Sequence, residues 1–288
     1  MKSADIPILN AMTVDVEDYY HVSAFERSID RNRWHEYDSR VVRNTHKILD
    51  ILDQHQTHAT FFVLGWIAER WPELVREIHR RGHEIGSHSY WHRLIYSQTP
   101  EEFRNDLRRS RDLLQDAIGA PVRAHRAPSF SITQNSLWAF DILSEEGFVI
   151  DSSVFPIHHD RYGIPNARPD IHQIQTPSGE LWEFPMSVTR FAKMNFPVGG
   201  GGYFRLYPVQ WTIHMLSRIN REEHRSFLCY IHPWELDPEQ PRLKAGSWLS
   251  RRRHYVHLSS TASKLEILLK TFRFGPLGSF LPETISES

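Results

Sequence analysis

The sequence predicts an α/β fold: a closed or nearly closed (β/α) barrel of about seven parallel strands, forming a single domain. Three observations lead there. Short apolar runs alternate with amphipathic segments of helical period along most of the 288 residues. Repeated strand-helix alternation calls for a parallel sheet with helices outside it and right-handed crossovers. Polar residues suited to chemistry follow the apolar runs instead of preceding them, and in such barrels chemistry sits at the C-terminal ends of the strands.

The elements follow in order. Residues 8–15 (ILNAMTVD) read as a buried strand, and an irregular aromatic stretch runs from there through Tyr37. SRVVRNTHKILDILDQ places Val42, His46, Leu49 and Leu52 on one helical face, and ATFFVLG is a second strand. WIAERWPELVREIHRRG is a helix interrupted at Pro72, with Gly82 suited to its C-terminal cap. HEIGS is a third strand. Thr99, Pro100 and Glu102 form a capping-box pattern ahead of a long helix, and VRAHR follows as a fourth strand. Thr133 caps the next helix, and FVIDSS is a fifth strand. Residues 154–178 read as a loop over the barrel mouth, and LWEFPMSV resumes as a strand. The glycines of VGGGGYFRL mark a flexible or closely approached loop that matches neither a dinucleotide fingerprint nor a P-loop. PVQWTIHMLSRIN is a helix, SFLCYIH a seventh strand and SSTASKLEILLKTF a closing helix, with a docked or frayed tail beyond.

Composition removes several classes of function. Lys and Arg (34) nearly balance Asp and Glu (35), so no overall field favours nucleic acid or another polyanion. The single cysteine, Cys229, excludes an internal disulfide framework and fits a reducing compartment. No run approaches the roughly 20 apolar residues of a membrane span, and the N-terminal stretch lacks a signal-peptide core. A cytoplasmic protein is the expectation; oligomeric state is not legible.

The chemistry concentrates in HEIGSHSYWH. His88 and His92, on a helical turn or tight loop, can share one divalent ion; zinc suits imidazole, and a carboxylate must come from elsewhere. A pair at this spacing also arises by chance on exposed helices, so convergence decides. The first strand ends in Asp15, Glu17 and Asp18, the fourth in Arg126, the fifth in Asp151 and the seventh in His232. Alternation in the seventh strand sends Leu228, Tyr230 and His232 to one face and Cys229 to the other, where it reads as a packed small hydrophobe.

The segments DVED, HSYWH, RAPS, DSSVF and CYIHPWEL occur in the order of the five motifs of the polysaccharide deacetylases, the NodB homology family of carbohydrate esterases. The resemblance covers roughly residues 10–235. The chain is also similar to the branch found with exopolysaccharide biosynthesis clusters, whose C-terminal extension would be residues 236–280 here. The resemblance implies a distorted (β/α) barrel and a metal-dependent hydrolase that removes N-acetyl groups from amino sugars and releases acetate. It implies one divalent ion, zinc by ligand preference, on His88, His92 and a carboxylate. Asp15 would be the general base and Arg126 its salt-bridge partner, with the Ser129 backbone N–H at the oxyanion. His232 would be the general acid, and Asp151 the carboxylate that orients it.

One departure stands out. The family's usual adjacent aspartates are replaced by Asp15, Val16, Glu17 and Asp18. Strand alternation puts Asp15 and Glu17 on one side and favours Glu17 as the ligand, whereas a turn at Glu17 would bring in Asp18. Tyr90, Trp91, Phe155, Tyr203 and Trp234 are candidates for stacking on pyranose rings, with packing as the alternative for each. Arg251 to Arg253 read as a solvated run, with binding of an acidic glycan as the alternative. The implied substrate is an N-acetylated polysaccharide or lipid-linked oligosaccharide. Competing readings are a hydrolase of small or cyclic amides, with or without metal, and a non-catalytic glycan-binding barrel.

Overall fold

The computed structural model describes residues 8–159, 161–191 and 194–282. In chain order the strands and α-helices are β1 Leu9–Val16, α1 Val41–Gln54, β2 Thr60–Val63, α2 Gly65–Arg70, α3 Pro72–Arg80, β3 Glu84–Ser87, α4 Pro100–Ile118, β4 Ala124–His125, α5 Trp138–Glu145 and β5 Ile150–Asp151. They continue with β6 His172–Thr176, β7 Gly179–Glu183, β8 Val188–Phe191, β9 Met194–Pro197, α6 Gly201–Leu206, α7 Val209–Arg221, β10 Leu228–Ile231, α8 Trp248–Tyr255, α9 Thr261–Thr271 and β11 Arg273–Gly275.

The main sheet runs β10-β1-β2-β3-β4-β5-β7-β6, and β11 also pairs with β1. Every pairing from β10 through β7 is parallel, giving the expected seven parallel strands. The sheet is curled. Ala11, Phe62, Ala124, Ile150, Phe184, Leu228 and Tyr230, from strands at both ends of that order, share one interior apolar cluster. Met12, Val14, Val16, Phe61, Val63, Cys229 and Ile231 point the other way, into the layer beneath the helices. Cys229 is thus packed beneath the helices, and burial pushes its thiol pKa up.

Closure between β7 and β10 uses the glycine-rich stretch in place of a strand. Tyr230 N–H donates to the Gly199 carbonyl at 2.8 Å, and Leu228 N–H donates to Ser187 Oγ at 2.6 Å. Gly200 has φ 151°, and a Cβ there would stand 2.1 Å from the Tyr230 carbonyl oxygen, so only glycine fits.

Three sequence expectations change. Residues 172–176 of the supposed loop form β6, an antiparallel edge strand on β7, because the Pro177–Ser178 turn folds it back. The predicted strand at 181–188 divides: β7 ends at Glu183, and Val188 begins a separate hairpin of β8 and β9. In the tail, Arg273–Gly275 pairs with β1 as β11. Two helix signals are realised as read, since Thr99 and Glu102 make the capping box of α4 and Pro72 separates α2 from α3, but α1 buries Val41, Asn44, Thr45, Ile48, Leu49 and Leu52 and leaves His46 outside that face.

Candidate active site

Alternation along β1 sends Ala11 and Thr13 into the barrel, and Asp15 and Glu17 follow at its C-terminal end. Arg126, just past β4, is fully buried on the same interior side, where its guanidinium lies 4.3 Å from the Phe62 ring. Its Nη1 donates to Asp15 Oδ1 at 2.7 Å and to Thr13 Oγ1 at 2.8 Å. Its Nε and Nη2 donate to the Ser152 carbonyl and hydroxyl. Asp15 is therefore held by one oxygen. Its other oxygen, Oδ2, lies 3.8 Å from His232 Nε2.

His88 and His92 come from the loop after β3, which is a tight loop and not a helical turn. Ser89 and His92 both have positive φ (63° and 51°), a conformation that costs about 1–3 kcal/mol per residue and persists only where the surroundings impose it. Here the surroundings do. Asp106 of α4 accepts the N–H groups of Tyr90 and Trp91, the N–H groups opening α2 donate to the Ser89 and Tyr90 carbonyls, and Arg31 reaches the Trp91 carbonyl.

Glu17, His88 and His92 offer ligand atoms that all lie within 4.8 Å of one another, and all three residues are buried. His88 Nδ1–H donates to the Arg126 carbonyl at 2.8 Å, which leaves Nε2 as a lone pair for a cation. Burial lowers the pKa of His88 to about 4, so the imidazole is neutral, as a ligand must be. Burial opposes ionisation of Glu17, but His92, His232 and His88 more than offset it and hold its carboxyl well below the usual range. Glu17 Oε2 lies 3.0 Å from His92 Nε2, yet this buried oxygen has no hydrogen bond among the described residues. A desolvated carboxylate oxygen left open beside two imidazoles fits a divalent ion.

Asp18, the other candidate ligand, turns away. Its Oδ2 accepts from Ser39 Oγ and from the N–H groups of Arg40 and Val41, capping α1. Burial raises its pKa to about 6. Glu17 is the carboxylate of the cluster.

Asp151 requires a correction. His125 and Asp151 pair across β4 and β5, and neighbours in register point to the same side. That side is the helix layer, because Ile150 takes the interior. Asp151 Oδ1 contacts His125 Nδ1 at 2.8 Å and accepts from Ser153 Oγ, and its charge, after burial, helps raise the neighbouring Glu183 pKa. Glu235, three residues after His232, takes the expected place. Its Oε2 stands 3.5 Å from His232 Nδ1 and its Oε1 accepts from buried Arg205 Nε at 2.9 Å. Burial opposes protonation of His232, but Glu235 at Nδ1, with Glu17 and Asp15 near Nε2, outweighs it and raises the pKa to about 9.

The aromatic candidates are mostly structural. Tyr90 is buried between α2 and α4, with its hydroxyl donating to Glu69 Oε2 and accepting from Arg109. Trp91 packs on Tyr90 and Trp34. Trp234 is buried between His232 and His254, with ring centres 5.2 and 4.2 Å away, and its Nε1–H donates to Glu17 Oε1 at 3.3 Å. Tyr90 and Trp234 brace the site and present no open platform for a sugar, whereas Trp91 is partly exposed. Ser129 is left-handed (φ 52°), and its hydroxyl donates to Ser23 Oγ. Sequence reasoning missed Glu235, Arg205 and His21; the buried His21 accepts the Asp18 N–H at Nδ1 and has no hydrogen-bond partner at Nε2 among the described residues.

Fold and site together define a mostly parallel (β/α) barrel with an arginine-fixed carboxylate and a histidine facing a cation-ready cluster at its C-terminal rim. The family model "Polysaccharide deacetylase" matches residues 31–143, and residues 152–281 match a domain of unknown function, DUF3473. A peptidoglycan-N-acetylglucosamine deacetylase of Bacillus cereus is 38% identical over 107 residues, covering 37% of this chain and 38% of that protein. A chitooligosaccharide deacetylase of Bradyrhizobium is 29% identical over 100 residues, covering 35% and 43%. The chain thus spans less than half the length of these relatives. A solved Mycobacterium smegmatis structure, assigned as a polysaccharide deacetylase, superposes with TM-score 0.62 at 18% identity, over 100% of this chain and 92% of that one, and shows the same fold.

Proposed function

We propose that this protein is a metal-dependent N-deacetylase that hydrolyses the acetamide of amino sugars in an N-acetylated polysaccharide or its lipid-linked precursor. One observation carries the reading. Asp15 and His232 face the same space beside Glu17, His88 and His92, and the buried Glu17 Oε2 has no hydrogen bond there among the described residues.

Glu17, His88 and His92 would hold one divalent ion, zinc by donor preference. Such an ion, when bound, polarises a carbonyl and lowers the pKa of water. Asp15, fixed through Oδ1 by Arg126, takes the water's proton on Oδ2 as the oxygen bonds to the acetyl carbon. The carbon-nitrogen bond then breaks. His232, kept protonated by Glu235, delivers a proton to the departing amine, and acetate and the free amino sugar result. The named activities of the B. cereus and Bradyrhizobium relatives, on N-acetylglucosamine-containing glycans, support the substrate class.

The test is elemental analysis of purified protein, with acetate release from N-acetylglucosamine oligomers. Stoichiometric zinc with acetate release is expected. A metal-free protein that releases none would overturn the reading.

A further inference from the structure

The segment from Pro241 to His257 holds Arg242, Lys244, Arg251, Arg252 and Arg253 and no Asp or Glu. In the structure it is an open groove of about 770 Å³. One face of α8 presents Trp248, Arg251, Arg252 and Tyr255, at i, i+3, i+4 and i+7, toward Arg242 and Lys244 on the preceding loop. The Arg252 guanidinium lies 5.5 Å from the Trp248 ring centre and that of Arg242 4.3 Å from Tyr255. Trp248 is 65% exposed, although it is among the largest apolar side chains in the protein.

The missing carboxylates set this groove apart. Elsewhere arginine clusters are matched: Arg104, Arg108 and Arg111 converge on Glu146, and Arg81 meets Asp50, Asp53 and Glu77. Among the described residues, no carboxylate lies within ion-pair distance of Arg242, Lys244, Arg251 or Arg252. Guanidinium groups stacked on rings keep their N–H edges free for phosphate or carboxylate oxygens, while an aromatic face accepts the apolar face of a sugar. A chain of buried rings runs from the groove toward the active site. Tyr255 touches His254 at 4.6 Å, His254 stacks on Trp234 at 4.2 Å, and Trp234 stacks on His232 at 5.2 Å.

We propose that this groove is a binding site for an anionic saccharide, which seats a sugar ring on Trp248 and pairs its phosphate or carboxylate with Arg242, Arg252 and Lys244. In naming a feature of the substrate it rests on the deacetylase reading. The anion can be a uronate within the glycan or the phosphate of a sugar diphosphate, and the test separates these.

Binding is measured by calorimetry on the full chain at low salt. The ligands are a neutral N-acetylglucosamine oligomer, an oligosaccharide alternating N-acetylglucosamine with glucuronate, and a nucleoside diphosphate sugar. At least one anionic ligand is expected to bind about tenfold more tightly than the neutral oligomer, the low end for charged hydrogen bonds, and to weaken as salt rises. Arg242→Glu with Arg252→Glu should erase that preference, and Trp248→Ala should weaken binding of the preferred ligand. Which anionic ligand shows the preference identifies the source. Equal affinity for all three ligands, or a preference that survives the double charge reversal, overturns the proposal. So does recruitment to phosphatidylglycerol vesicles lost in the double variant without any saccharide preference, which would make the patch a membrane contact. Anion-selective binding in a protein that releases no acetate would uphold the groove and sink the deacetylase reading; acetate release without anion selectivity would do the reverse.

Discussion

Glu235 Oε2 stands 3.5 Å from His232 Nδ1, and its other oxygen is anchored by Arg205, so the histidine facing Asp15 takes its charge bias from its own turn. The arrangement is local in origin. Pro233 opens a short helical turn whose third residue is Glu235, and the Glu235 side chain returns to the His232 backbone N–H in a capping-box pattern.

Glu235→Gln should therefore move the alkaline limit of activity. In the metal-free chain Glu235, with Glu17 and Asp15, raises the His232 pKa to about 9, and removing the Glu235 charge lowers it toward the ordinary 6.5. The raised pKa adds stability that is complete below about pH 6.5 and is lost as pH rises through about 9. A pH-rate profile should show the alkaline limb displaced downward, with roughly tenfold or greater loss above neutrality. An unmoved limb would remove Glu235 from this role.

Asp151→Asn serves as the contrasting variant. Asp151 lies in the helix layer against His125 and Glu183, so its loss should leave the pH-rate profile in place while lowering thermal stability, because a buried polar cluster is disturbed. A downward shift of the alkaline limb in this variant would restore the expectation drawn from its motif.

Glu17→Gln and Asp18→Ala separate the two carboxylates that the sequence left open. Glu17→Gln should abolish stoichiometric metal in elemental analysis. Asp18→Ala should keep the metal and lose about 0.5–2 kcal/mol of stability in denaturant unfolding, the usual worth of a helix cap. Reversed metal contents would make Asp18 the ligand.

Much of this was legible in the sequence, for reasons that can be named. Strand alternation alone sorts Ala11, Thr13, Asp15 and Glu17 from Met12, Val14 and Val16, and Leu228 and Tyr230 from Cys229, because a curled parallel sheet buries both faces against different layers. The same rule, applied to Ile150 and Asp151, would have turned Asp151 outward; the motif's family role stood in its way. The sequence spacing of His232 and Glu235 was a usable capping signal. Arg205 was not legible, since it reaches Glu235 from 30 residues away and also binds the Arg253, His254 and Val256 carbonyls, contacts that only tertiary structure creates. Strand β6 was hidden because its edge position leaves HQIQT polar and half-exposed.

Asp15→Asn and Arg126→Ala should fail in different ways. The first keeps the size of the side chain and removes the proton acceptor; it should retain metal and lose at least about two orders of magnitude in rate. The second leaves Asp15 buried without its partner and should cost about 3–5 kcal/mol, visible in denaturant unfolding before any assay. Metal loss in Asp15→Asn would instead make Asp15 a ligand.

Removal of the metal should be visible without substrate. The protein alone brings a buried carboxylate oxygen, with no hydrogen bond among the described residues, to within 3.0 Å of an imidazole, an arrangement that folding does not favour unless something else satisfies it. Ligand at a hundredfold above Kd stabilises a folded chain by about 2.7 kcal/mol, which in a chain of this size raises Tm by roughly 4–5 °C. Thermal unfolding of chelator-treated protein should recover that shift when zinc is returned, and Glu17→Gln should show none. Identical melting of the stripped and zinc-loaded native protein would mean that Glu17, His88 and His92 do not hold an ion, and the orphaned oxygen would then need another partner.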